Sequence, residues 1–136
     1  MNMLGIREKE KYGNLTLESI YDDIRNLAVT LDVEVDFFQS NIEGEIINSI
    51  HKAYEIFDGI VINPAAFTHY SIAILDALNA VSIPTVEVHM TNIFSREEFR
   101  KKTVTGAGCI GIISGFGREV YPLALRGLHQ YLNSMR

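Results

Sequence analysis

A parallel β-sheet with helices on both faces is the fold class that this sequence predicts. Three observations point to it. Stretches with helical period alternate with short β-branched or apolar runs along the chain. The clearest of these runs, Gly59-Ile-Val-Ile62, is apolar throughout, as in a strand buried on both faces. The 136 residues contain no repeat, low-complexity tract or evident linker, which suits one domain over 1–136.

The elements follow in order. Thr16 suits a helix N-cap, and Leu17, Ile20, Ile24, Leu27, Ala28 and Leu31 recur at three and four residues on one helix face. Val33 to Phe38 is a β-branched and aromatic run that reads as a strand. Ile46, Ile47, Ile50, Tyr54 and Phe57 mark a second helix. Residues 59–62 form a buried strand, stopped by Asn63-Pro64. Thr68 is placed to cap a third helix carrying Ile72, Ile74, Leu75 and Leu78. Pro84 opens a strand from Thr85 to Val88. Ser95 and Glu98 have capping-box spacing for a short helix through Arg100. Cys109 to Ile113 is a further strand, and residues 118–133 form the last helix, with Pro122 in its first turn. An open parallel sheet ordinarily begins with a strand, yet none precedes residue 16. The charged run Glu8-Lys-Glu-Lys11, flanked by Gly5 and Gly13, reads as a mobile loop.

Composition excludes several function classes. Twelve Lys and Arg against 17 Asp and Glu give a net charge of -5, unsuited to general nucleic-acid binding. The single cysteine, Cys109, cannot form an internal disulfide and reads as core rather than nucleophile. No apolar run reaches the roughly 18 residues of a membrane span, and the start lacks a signal-peptide pattern, so the cytoplasm is expected. Cys-x-x-Cys and His-Glu-x-x-His are absent, so there is no metal motif, Gly-x-Gly-x-x-Gly is absent too, and without Gly-x-Ser-x-Gly a hydrolase triad has little support. Gly115-Phe-Gly117 is only a partial anion-binding signature.

In open α/β sheets ligands bind beyond the carboxyl ends of the strands. That directs attention to Asn63–Tyr70 and Glu87–Arg100. Glu87 and His89 share a strand face, and a carboxylate beside an imidazole fixes its tautomer and favours its protonated form, as a general acid needs. Asn63 offers donor and acceptor, or serves as a turn residue before proline. His69 lies near a helix start. Arg96 and Arg100, four apart, would share a helix face and hold a carboxylate or hydroxyls. Arg7 and Tyr12 sit in the charged loop, where a guanidinium can lower the phenol's pKa and make it a base on closure.

Taken together, these residues resemble a family, the type II 3-dehydroquinate dehydratases. The resemblance is carried by Asn2-Met-Leu-Gly-Ile-Arg-Glu8 with Tyr12-Gly13, Ile62-Asn-Pro-Ala-Ala-Phe-Thr-His69 and Asp76-Ala-Leu78. It continues through Ile83-Pro-Thr-Val-Glu-Val-His89, Asn92-Ile93, Arg96-Glu-Glu-Phe-Arg100, and Gly115-Phe-Gly117 with Tyr121 and Leu123-Ala-Leu125. It implies a flavodoxin-like three-layer sandwich and a dodecamer built from trimers, acting without cofactor. The implied reaction is the reversible anti dehydration of 3-dehydroquinate to 3-dehydroshikimate through an enolate, in the shikimate pathway.

By the same resemblance Tyr12 matches the base, Arg7 the arginine that keeps it ionised, and residues 5–15 the mobile lid. His89 matches the acid and Glu87 the group that orients it. Asn63, His69 and Arg100 match residues that hold substrate hydroxyls. Met90 and Thr91 match the pair whose backbone amides take the carboxylate. Arg96 matches a second arginine tuning the tyrosine, and Asp76 a residue reaching a neighbouring subunit's site.

Two departures accompany the match. The family's opening apolar strand and its Asn-Gly-Pro-Asn motif are not in this sequence. Either residues precede Met1 in the whole protein, the reading preferred here, or this is a truncated and impaired form with a gap at the centre of its sheet. Ala65-Ala66 and Lys101-Lys102 also stand where the family often has Gly and a His-containing stretch. Two rival readings remain: a flavodoxin-like small-molecule binding module, and a catalytically impaired assembly protein.

Overall fold

The computed structural model describes residues 1–6, 8, 10 and 13–136. Arg7 and Tyr12 lie outside the described residues, so residues 5–15 are described only in part.

Among the described residues, four α-helices from Leu17 onward sandwich a parallel sheet. Helix α1 spans Leu17–Leu31. Its start is a capping box, in which the Thr16 hydroxyl accepts from the Ser19 amide and the Ser19 side chain bonds back to Thr16. Helix α2 spans Glu43–Ala53, α3 spans Ile72–Val81 and α4 spans Val120–Ser134. The strands are β1 (Ile60–Ile62), β2 (Thr85–His89) and β3 (Gly111–Ser114), in spatial order β1-β2-β3 and all parallel. On one face Ile20 of α1 and Val120, Tyr121, Ala124 and Leu128 of α4 bury against Val86 and Val88. Arg118 clasps α1 to α4, its Nε donating to Asp23 Oδ2 at 2.7 Å and its Nη2 to the Ser19 carbonyl at 3.0 Å. On the other face Ile50 of α2 and Ile74, Ala77, Leu78 and Val81 of α3 pack with Ile62.

Central strand β2 is buried at all five positions. Its period of two sends Val86 and Val88 to the α1–α4 face, and Thr85, Glu87 and His89 to the other. The alternation of the sheet, not the helices, therefore separates the apolar half of β2 from its chemical half.

Five expectations need correction. Residues 33–38 are not a strand, although they alternate between half-buried and exposed as one would. The outer edge of β1 opens onto a cleft of about 1540 Å³ that lies between Val33–Phe38 and Ile60–Ile62. A ladder needs backbones roughly 4.8 Å apart, and the cleft keeps these two apart. The segment is held by side chains instead: Phe37 stacks on Tyr21 of α1 at 4.1 Å, with Arg25 over the Phe37 ring.

Helix α2 ends at Ala53, short of Tyr54 and Phe57. The Ala53 carbonyl takes the Ile56 and Phe57 amides in a turn, and Glu55 is left-handed. Ser71, not Thr68, caps α3, its hydroxyl accepting from the Ile74 amide. Thr68 lies in a 3-10 helix, Ala65–His69. The expected helix through Arg100 is two separate 3-10 turns, Ile93–Ser95 and Glu98–Arg100. Asn92 caps the first, and Arg96 is extended between them. Finally, β3 begins at Gly111 because Cys109 ends a 3-10 turn, its amide bonded to Gly106 O.

Candidate active site

The centre of the site is a carboxylate sunk in a ring of donors. Glu87 is fully buried and His89 only 6% exposed. Glu87 Oε1 lies 2.6 Å from His89 Nε2, and accepts from the hydroxyls of Thr68 at 2.5 Å and Thr103 at 2.8 Å. Oε2 accepts from Thr105 at 2.6 Å. Burial by itself pushes the Glu87 carboxyl up. The hydrogen bonds from His89, Thr105, Thr68 and Thr103 outweigh it and hold the group below its ordinary range. An anionic Glu87 accepts only, so the imidazole presents Nε2–H to it. Nδ1 is then the ring nitrogen left for proton traffic.

The turn after β1 supplies the next two groups. Asn63 is fixed at both ends: Nδ2 donates to the Tyr121 hydroxyl at 2.8 Å, and Oδ1 accepts from the Ala65 amide at 3.0 Å. The acceptor shapes the turn, as expected of a residue before proline, while the amide group is held by Tyr121 of α4. His69 Nδ1 donates to the Lys102 carbonyl at 2.7 Å, which leaves its Nε2 as acceptor.

Beyond β2 the chain forms a small recess lined by Thr91, Asn92, Ser95, Arg96 and Glu97. Arg96 and Arg100 do come together, but through Glu97 rather than a shared helix face. Its Oε2 lies 3.0 Å from Arg100 Nε and 3.8 Å from Arg96 Nε. A backbone hydrogen bond, then the charges of Arg100 and Arg96, hold the Glu97 carboxyl below its ordinary range. Arg96 Nη1 also donates to Thr91 Oγ1 at 3.4 Å. Met90 is buried in the core facing α4, and its backbone carbonyl accepts from Gly117 N at 3.0 Å. Asp76 is exposed on α3, and no hydrogen bond among the described residues ties it to this cluster.

The Gly115-Phe-Gly117 loop is not an anion site. Gly115 N is committed to the carbonyls of His89 and Thr91, and Gly117 N to that of Met90. Left-handed backbone at residues 115–117 makes this fold-back possible, and glycine tolerates it without strain. The loop braces the carboxyl end of β2 instead.

Sequence reasoning missed Thr103 and Thr105 and misread Thr68 as a cap. It listed Tyr121 only as part of a resemblance. No local signal marks the threonines, because their meaning comes from a carboxylate 16–19 residues away. Among the described residues no group of three or more His, Cys, Asp or Glu is gathered to hold a metal ion. No helix among them is long and apolar enough to cross a membrane.

Cys109 fits its reading as an unreactive thiol. Burial, then the nearby Glu87 charge, push it up to about 12. Since the thiolate is the reactive form, we expect iodoacetamide at pH 7 to spare Cys109 in the folded protein and to label it once urea unfolds the chain. Equal labelling rates in the two states would contradict this burial.

A buried acid–base dyad at the carboxyl end of a central parallel strand defines an enzyme of flavodoxin-like α/β fold. Comparison with known proteins makes the assignment particular. The family described as Dehydroquinase class II matches residues 1–129. The 3-dehydroquinate dehydratase of Clostridium perfringens strain 13 is 58% identical over 135 residues, covering 98% of this chain and 92% of that relative. The crystal structure of the type II dehydroquinase from Butyrivibrio crossotus aligns with a TM-score of 0.90 at 49% identity, over 93% of this chain and 89% of that one. That from Propionibacterium acnes gives 0.90 at 39% identity, over 95% and 89%. The chain belongs to the class II dehydroquinase family, and as an enzyme it is a hydro-lyase of the 3-dehydroquinate dehydratase type.

Proposed function

We propose that this protein carries out the reversible anti dehydration of 3-dehydroquinate to 3-dehydroshikimate through an enolate, with Tyr12 as base and His89 as acid. The observation that carries the reading is the 2.6 Å contact between His89 Nε2 and the buried, anionic Glu87. Removal of a proton beside a ketone builds an enolate, and departure of the hydroxyl as water needs an acid. Glu87 holds Nε2–H, so the doubly protonated imidazolium delivers its Nδ1 proton to the C1 oxygen and is left as the neutral Nε2–H ring. Tyr12, kept ionised by Arg7, takes the C2 proton, and residues 5–15 close over the substrate. Arg96 assists the tyrosine.

Asn63, His69 and Arg100 hold substrate hydroxyls. The fixed tautomer of His69 supports this, since its Nε2 is set to accept from a hydroxyl. Met90 and Thr91 offer backbone amides to the carboxylate. Asp76 serves a neighbouring subunit's site, consistent with its exposure on α3. Residues 1–136 act as one catalytic domain in the cytoplasm, on the shikimate pathway.

Two measurements test this reading. The protein should convert 3-dehydroquinate to an ultraviolet-absorbing enone with no added metal or nicotinamide. Loss of activity in EDTA with recovery on adding zinc would defeat the metal-free mechanism, and absence of product from the whole protein would defeat the function. The assembly proposed is a dodecamer built from trimers, so light scattering on the whole protein should give twelve times its subunit mass. A monomer mass at micromolar concentration would overturn it.

A further inference from the structure

We infer that Thr105, together with Thr68 and Thr103, positions the acid of the reaction by holding the Glu87 carboxylate in the plane that turns one of its oxygens toward His89. The inference rests on the reading of His89 as that acid.

The terminal torsion of a glutamate is broad, so nothing in Glu87 itself fixes the plane of its carboxylate relative to the imidazole. The surroundings fix it. Thr105 is the hydroxyl that donates to Oε2, at 2.6 Å, while Thr68, Thr103 and His89 converge on Oε1. Each hydroxyl carries a single proton, and a carboxylate has about four lone-pair sites. Three donors converge on Oε1 and one meets Oε2, so loss of the Thr105 hydroxyl leaves Oε2 without a donor among the described residues. Thr68 Oγ1 also lies 2.7 Å from Thr103 Oγ1 and 3.0 Å from Thr105 Oγ1, so Thr68 touches both other hydroxyls as well as the carboxylate. Thr68, Thr105 and Glu87 are fully buried and Thr103 is half-buried.

The cage also reaches the substrate-binding side. Thr103 and Thr105 sit on a strap whose neighbours are bonded to the 3-10 helix that carries Thr68 and His69. Val104 N donates to the Thr68 carbonyl at 2.6 Å, and the Lys102 carbonyl accepts from His69 Nδ1. Thr103 Oγ1 further accepts from Gly106 N at 2.9 Å, which fixes the direction of its own proton toward Glu87. One strap therefore aims both the acid dyad and His69, although neither Thr103 nor Thr105 needs to touch the substrate.

Thr105→Val keeps the shape and removes the donor to Oε2, whereas Thr105→Ser keeps the donor and removes a methyl. The readouts are steady-state kinetics with 3-dehydroquinate, and the ¹⁵N shifts of the His89 ring without substrate. Loss of an outer partner commonly costs roughly 10–100-fold. We expect a fall of that size in kcat for Thr105→Val with little change in KM, and a ring spectrum in which the Nε2 signal moves away from its wild-type position. Thr105→Ser should restore both. A folded Thr105→Val with wild-type kcat and ring spectrum overturns the inference, as does a Thr105→Ser no better than Thr105→Val. Should Thr105→Val not fold, Thr103→Val takes the same two readouts, and unchanged values there overturn it equally. Because the spectrum is read without substrate, a wild-type protein that makes no product counts against the proposed function and not against the cage.

Discussion

Tyr12→Phe should lower kcat by several orders of magnitude while leaving KM close to that of the wild type. The ring stays and the hydroxyl goes, so the loss falls on proton abstraction. A positioned proton-transfer group contributes about 10²–10⁴-fold, and a sole base exceeds that. Asn63, His69 and Arg100 remain to bind substrate in the proposed scheme. Arg7→Ala should imitate much of the loss with the hydroxyl in place, because the phenol returns toward its ordinary value of about 10. Raising the pH then rescues Arg7→Ala in part and Tyr12→Phe not at all. Exchange of the C2 proton with deuterated solvent separates the two chemical steps. It should vanish in Tyr12→Phe and persist in His89→Ala, whose base is intact. Near-normal exchange in Tyr12→Phe would remove Tyr12 from the role of base.

Glu87→Gln should damage both activity and stability, and the stability loss should depend on pH. The amide has nearly the shape of the carboxylate but carries two donors into a ring of four donors. Turned one way, its NH₂ faces His89 and enforces the wrong tautomer. Turned the other way, it faces Thr105 and the imidazole loses its counter-charge. Either outcome should lower kcat by about 10²–10⁴-fold. A buried donor left without an acceptor costs about 1–3 kcal/mol, and at this chain length each kcal/mol lowers Tm by roughly 4 °C.

The sign of the pH effect follows from the depressed carboxyl. Its folded value lies below its ordinary value of 4.5. In acid the unfolded chain therefore binds the extra proton first, and stability rises with pH across that window. The contribution is complete above 4.5 and is lost as pH falls through the lower, folded value. Glutamine does not titrate. Urea unfolding should thus find the gap between wild type and Glu87→Gln widest near pH 7 and narrowing below pH 4.5. A gap that stayed constant into acid would show that the charge of Glu87 adds nothing to the fold.

Much of this was legible from local pattern. The period of Leu17 to Leu31, the Thr16 cap and the apolar run 59–62 each state their element in consecutive residues. Glu87 and His89 were legible as a pair for the same reason, since a strand's period of two is enough to bring them onto one face. The failures share the opposite property. Residues 33–38 have the composition and even the alternating exposure of a strand, but a strand exists only by pairing, and a cleft separates this one from β1. Ser95 and Glu98 had the spacing of a capping box, yet Asn92 caps the turn that forms there.

The sequence by itself determined the α/β class and the strand that carries the dyad. These depend on interactions between near neighbours or on composition, which a linear reading contains. Only the tertiary structure decided what state Glu87 holds and which way it faces. Burial drives its carboxyl toward neutrality, and the hydrogen bonds from His89 and from the hydroxyls of Thr105, Thr68 and Thr103 together reverse that. Those three threonines lie far from Glu87 in the chain and carry no motif of their own. Their chemistry exists because the turn after β1 and the strap before β3 fold over the same face of β2.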